Sequence, residues 1–133
     1  MKKILLISLA FFTALFLAPL AMSDEPVEKQ FVKKRYKISG TAKLETIGNE
    51  THLTLSDDFK TKNGPDLKVF LTTKPIEELS GEDVILNGLK IGVLKSRKGG
   101  QSYIIPADVN LSDYESIVIH CEAYTVLWGG FDL

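Results

Sequence analysis

Between Thr41 and Trp128 the chain carries short runs of alternating apolar and polar residues, parted by turn residues roughly every ten positions. That rhythm restricts the fold more than any other feature. Side chains on a strand alternate between faces with a period of two, whereas a surface helix needs an apolar stripe with a period near 3.6. Thr41 to Ile47 alternates, with Ala42, Leu44 and Thr46 on one face. Gly48-Asn49 supplies a turn, and Thr51 to Leu55 alternates again with Leu53 and Leu55 inward, which predicts a hairpin. Asn63-Gly64-Pro65 is a strong turn signal, because Asn and Gly tolerate positive φ and Pro cannot donate to a ladder. A strand over Asp66 to Thr72 follows, with Leu67, Val69 and Leu71 on one face.

Further strands are expected at Phe31 to Ser39, Lys90 to Leu94, Gln101 to Ile105, Ser116 to Glu122 and Tyr124 to Trp128. Phe59 is expected to plug the core, and Gly92 to mark a bulge. Gly129-Gly130 reads as a bulge or tight turn. Lys74 to Asp83 is the one stretch that suits a helical turn, with Pro75 in its first turn and Gly81 as its stop. The expected fold is all-β: an antiparallel β-sandwich, jelly-roll-like or a flattened barrel, of seven to eight short strands.

Met1 to Ser23 reads as a secretory signal peptide. Lys2 and Lys3 precede an uncharged apolar run, and Ala21-Met22-Ser23 offers small residues for cleavage after Ser23. The alternative is a retained anchor, for which a run of about 17 residues is at the short limit. Removing 23 of the 133 residues leaves 110, enough for one domain with its own core. It also takes away two of the 16 Lys+Arg and none of the 17 Asp+Glu, so the mature chain carries a net charge of −3. Neither nucleic acid nor an anionic membrane is an expected partner of such a chain, and no membrane span is expected after cleavage. Asp24 to Gln30 reads as a flexible start within a lead-in segment, 24–39, ahead of a β domain at 40–133. The basic run Lys33-Lys34-Arg35 in that segment reads as a solvated face.

The chemistry concentrates in Ser116 to Phe131, which holds the sole cysteine, Cys121, the sole tryptophan, Trp128, and one of two histidines, His120. One cysteine in an exported chain forms no internal disulfide, so Cys121 is a buried inert thiol, a reactive thiol, a ligand or half of an intermolecular bridge. On a strand it shares a face with Ile117 and Ile119, which points it toward the core, while His120 points away with Val118 and Glu122. At the edge of apolar strands, His52 and His120 read most simply as solvent-edge imidazoles. His52, His120 and Cys121 form at most an incomplete metal set, so no metal site is assigned. Asp57, Asp58 and Asp66 lack the spacing of a calcium loop, and Asp66 suits a turn that accepts backbone donors. Covalent c-type haem has no Cys-x-x-Cys-His to attach to, while non-covalent haem on Cys121 or a histidine stays open. No hydrolase set and no phosphate-binding glycine loop is present in a recognisable context.

Several pieces stand in a telling order: Gly40-Thr41-Ala42, Leu55-Ser56-Asp57-Asp58-Phe59, Asn63-Gly64-Pro65-Asp66-Leu67, Ser102-Tyr103-Ile104-Ile105-Pro106, Val118-Ile119-His120-Cys121 and Val126-Leu127-Trp128-Gly129-Gly130. Taken together, from Gly40 to Leu133, they resemble the DM13 domain, a small extracytoplasmic β-domain found beside DOMON domains. The resemblance implies an electron-transfer role centred on Cys121, as a free thiol or as the holder of a prosthetic group such as haem. It further implies an accessory redox domain with a redox or surface protein as partner, and not a stand-alone enzyme. His120 stands where the resemblance leads one to expect an aromatic, which makes it either a candidate ligand beside Cys121 or a surface substitution of no consequence. The alternative is a non-catalytic extracytoplasmic binding module with a buried structural cysteine.

Overall fold

The computed structural model describes residues 13–15 and 25–133. The signal-peptide reading and its cut after Ser23 lie outside the described residues, apart from 13–15. The described residues form eleven antiparallel strands: β1 Val27–Gln30, β2 Val32–Lys33, β3 Ile38–Ser39, β4 Thr41–Ile47, β5 Glu50–Leu55, β6 Lys60–Thr61, β7 Leu67–Thr72, β8 Leu89–Val93, β9 Gln101–Ile105, β10 Ser116–Cys121 and β11 Val126–Asp132. Eight of them have four residues or more; β2, β3 and β6 are two-residue pieces. An α-helix, α1, spans Gly81–Asn87.

The strands form an all-β sandwich. One sheet has the order β1-β4-β5-β9, the other β2-β11-β10-β7-β8, and β3-β6 is a small separate ribbon. The inward residues of both sheets meet in one core. Ala42, Leu53, Leu55, Tyr103 and Ile105 face Leu67, Val69, Leu71, Ile117, Ile119 and Phe131, and Phe59 plugs it from a loop. The alternation read from the sequence is therefore the alternation that packs. The Thr41 to Leu55 hairpin forms as expected, with Gly48 at φ 61°.

Four local expectations give way. Val27 to Gln30 is not a flexible start but an edge strand, paired with Thr41 to Leu44. Phe31 to Ser39 is not one strand. The chain passes from one sheet to the other near Phe31 and then bends tightly, where the N–H groups of Lys34, Arg35 and Tyr36 all point at the carbonyl of Trp128. Gly81 opens a helix instead of closing one. Ser80 caps it in a reciprocal capping box with Asp83, and the stretch before it is a 3₁₀ turn over Ile76–Glu78. Gly129 and Gly130 run within β11, and the bulge falls at Trp128 just before them. A Cβ on Gly130 would overlap the carbonyl of Ile117, so β11 needs glycine there to lie against β10.

The helical segment covers the outer face of the five-stranded sheet. Ile76, Leu79 and Val84 pack on Phe70, Val118 and Leu127 in a second apolar cluster. β10 is accordingly buried on both faces along its whole length.

Candidate functional site

Cys121 is the last residue of β10, paired with Val126 on one side and Leu67 on the other. It is a free thiol, 1% exposed, on the core face with Ile117 and Ile119 as the strand period requires. The next four residues, Glu122 to Thr125, turn the chain into β11. Thr125 holds a positive φ of 55°, a conformation that a β-branched residue rarely adopts.

Polar contacts fasten this turn. Asp66 accepts the Ala123 N–H at 2.9 Å on one carboxylate oxygen and the Lys68 ammonium at 2.7 Å on the other, and its backbone carbonyl accepts the Glu122 N–H at 3.1 Å. Glu122 pairs with Lys90 at 2.7 Å and lies 3.9 Å from Lys68. The hydrogen bond from Lys68 holds the Asp66 carboxyl below the usual carboxylate range. Lys68 is held above the usual lysine range, first by its bond to Asp66, with smaller contributions from Glu122 and the Cys121 sulfur. Asp66 accepts a backbone donor, but from Ala123 in the turn after β10 and not from its own turn after Asn63-Gly64, and Asp58 is engaged locally with the Ser56 hydroxyl. These ion pairs lie on the outer face of the sheet, where Lys68 stands opposite His120, while the neighbouring thiol faces the core. Lys68 and Asp66 are close in sequence, but Lys90 and Glu122 reach them only through sheet pairing.

His120 is where structure and expectation part. It is not at a solvent edge but fully buried, against the ring of Phe70 at 5.6 Å between centroids. Its Nε2–H donates to the Gly81 carbonyl at 3.0 Å, and its Nδ1 has no hydrogen-bond partner. Burial lowers its pKa from the ordinary value of 6.5, against smaller upward effects of the Gly81 bond and Glu122. It anchors the start of α1 to the outer face of β10. The apolar run around it, which continues without alternation through Val118, is the sequence signal of a strand covered on both sides.

His52 lies on the outer face of the other sheet and donates to Glu50 at 3.2 Å. The sandwich separates the two histidines, and Cys121 faces into the core between them. Among the described residues no group of three His, Cys, Asp or Glu side chains converges as a metal site. The residues do not fit a haem either. Cys121 and His120 are packed on opposite faces of one strand, and neither lines any of five open pockets on the surface of the described residues. No helix among the described residues is long and apolar enough to cross a membrane.

A protein-family profile described as "Electron transfer DM13" matches residues 30–133, a span that includes Cys121 and the strands of both large sheets from β2 onward. No curated protein and no solved structure matches the chain.

Proposed function

The chain belongs to the electron transfer DM13 family, and from that premise we propose that it works as an exported electron-transfer accessory domain with Cys121 as its redox group. The observation that carries this reading is the position of the thiol: the only one in the chain, on the last residue of a strand, next to a four-residue turn held by polar contacts. Such a turn opens locally at lower cost than the sandwich unfolds, because its contacts are partly exposed and few. Once open, the Cys121 thiolate attacks a disulfide of a partner protein. A mixed disulfide forms, and the partner's other sulfur leaves as a thiolate that takes up the proton Cys121 has lost. A lone cysteine closes no disulfide within its own chain, so the reaction requires that second protein. Export rests on the leader-like Met1 to Ser23.

A second reading is favoured by the 1% exposure of Cys121 and its packing beside Ile117 and Ile119. On that reading the thiol is a small core side chain in an extracytoplasmic binding module. Thiol labelling of the full chain separates the two, with a visible absorption spectrum taken on the same sample. The redox reading expects native labelling of one thiol faster than global unfolding, lost in Cys121→Ser. A colourless protein whose thiol reacts only as fast as the whole domain unfolds defeats that reading and leaves the structural one.

A further inference from the structure

The β3-β6 ribbon carries a concentration of positive charge on which the thiol reading makes no demand. Its register pairs Ser39 with Lys60 and Ile38 with Thr61. Ile38 and Thr61 are buried, so the alternate positions Lys37, Ser39, Lys60 and Lys62 share the outer face. A third segment joins them: Lys98 bridges to Lys60, and the Thr61 N–H donates to the Arg97 carbonyl at 2.8 Å. Lys37, Lys60, Lys62 and Arg97 line one pocket of about 330 Å³, with Ser39, Thr61 and Asn63 completing its lining.

We propose that this pocket binds a phosphate-type oxyanion bearing at least two negative charges. Three chain segments, far apart in sequence, bring four cations to one concavity, which a solvated basic run does not do. None of the four pairs with a carboxylate among the described residues, whereas Lys68, Lys74 and Lys90 each do. The mature chain is net negative, so this charge is segregated and not the average of the surface.

The pocket is also preformed. The Thr61 hydroxyl donates to the Lys37 carbonyl at 3.0 Å, and the Ser39 hydroxyl donates to the Lys60 carbonyl at 3.4 Å, which clamps the two strands. The Lys62 ammonium lies 4.7 Å from the centre of the Tyr36 ring, which packs on Trp128, whose indole N–H donates to the Lys62 carbonyl. Arginine supplies a planar fork for two oxygens and the lysines supply point charges, the donor set that suits phosphate. A free phosphate compound and a phosphate on a lipid headgroup present the same chemistry.

The test uses the full chain and its Lys60→Gln/Arg97→Gln variant, whose replaced side chains are exposed and whose backbone bonds are untouched. Titration with inorganic pyrophosphate, followed by amide chemical shifts, is paired with co-sedimentation on vesicles with and without an anionic phospholipid. Both proteins carry the same residues 1–23, so any binding by that segment cancels between them. Saturable pyrophosphate binding, weakened at least about tenfold in the variant and by added salt, supports the proposal with a soluble ligand. Variant-sensitive binding to the anionic vesicles supports it with a lipid headgroup. If neither probe distinguishes the wild type from the variant, or if Lys29→Gln/Lys43→Gln weakens binding equally, the pocket is not a site and the proposal is overturned. None of these readouts depends on Cys121.

Discussion

The Nε2–H of His120 donates to the carbonyl oxygen of Gly81 at 3.0 Å, joining the centre of the larger sheet to the first residue of helix α1 across 39 positions of sequence. Both faces of β10 are thereby committed: one to the sandwich core that holds Cys121, the other to the helix. The consequences are separable by experiment.

Because burial depresses the His120 pKa, the unfolded chain takes up a proton at this position before the folded chain does. Stability from this group is complete above the ordinary value of 6.5 and is lost as pH falls from there toward the depressed folded value. The urea midpoint of the wild type should therefore fall between about pH 7.5 and pH 5.5. His120→Gln should flatten that slope, since it retains a donor for Gly81 but does not titrate. An unchanged slope in the variant would place the pH sensitivity elsewhere.

Gly81→Ala should loosen the helix from the turn. A Cβ at this position would overlap the Thr125 carbonyl, so the start of α1 must move and the His120 bond must lengthen or break. The expected cost is about 2 kcal/mol. Chemical denaturation measures it, and a loss below experimental error would show that α1 adjusts without strain.

Cys121→Ser should destabilise more than Cys121→Ala. Serine places a hydroxyl among Leu67, Ile117 and Ile119, where the neighbouring side chains offer it no partner, at about 2 kcal/mol. Alanine removes one sulfur and leaves a small void, at about 1 kcal/mol. Urea midpoints of the two variants decide the order, and the reverse order would mean that the Cys121 position is wetter than its burial indicates.

The turn over Cys121 should be adjustable in both directions. Asp66→Ala removes the acceptor for Ala123 and Lys68, and should speed native thiol labelling several-fold. Thr125→Gly relieves a positive φ and should slow labelling, with a gain in stability of about 0.5 kcal/mol. Labelling rates that ignore both changes would mean that the thiol is reached by some route other than the turn. Acid weakens the same fastening: the Asp66 pKa is depressed below 3.8, so its contribution to stability is complete above that value and is lost as pH falls through the lower, folded value, which a urea midpoint reads.

Period and punctuation determined the fold class of this protein: alternation placed Leu53, Leu55, Leu67, Val69, Leu71, Ile117, Ile119 and Cys121 on the core face, and Asn63-Gly64-Pro65 and Gly48-Asn49 placed turns. These are local properties, because a strand's two faces are set residue by residue along the backbone. What lies against the second face is not local. The helix that buries His120, the pairing that draws Val27 to Gln30 into the smaller sheet, and the ion pairs of Glu122 with Lys68 and Lys90 all join segments distant in sequence. The same holds for the pocket of Lys37, Lys60, Lys62 and Arg97. In the sequence these are three unremarkable basic spots; only the β3-β6 ribbon and the neighbouring turn make them one site, because electrostatic fields add in space and not along the chain.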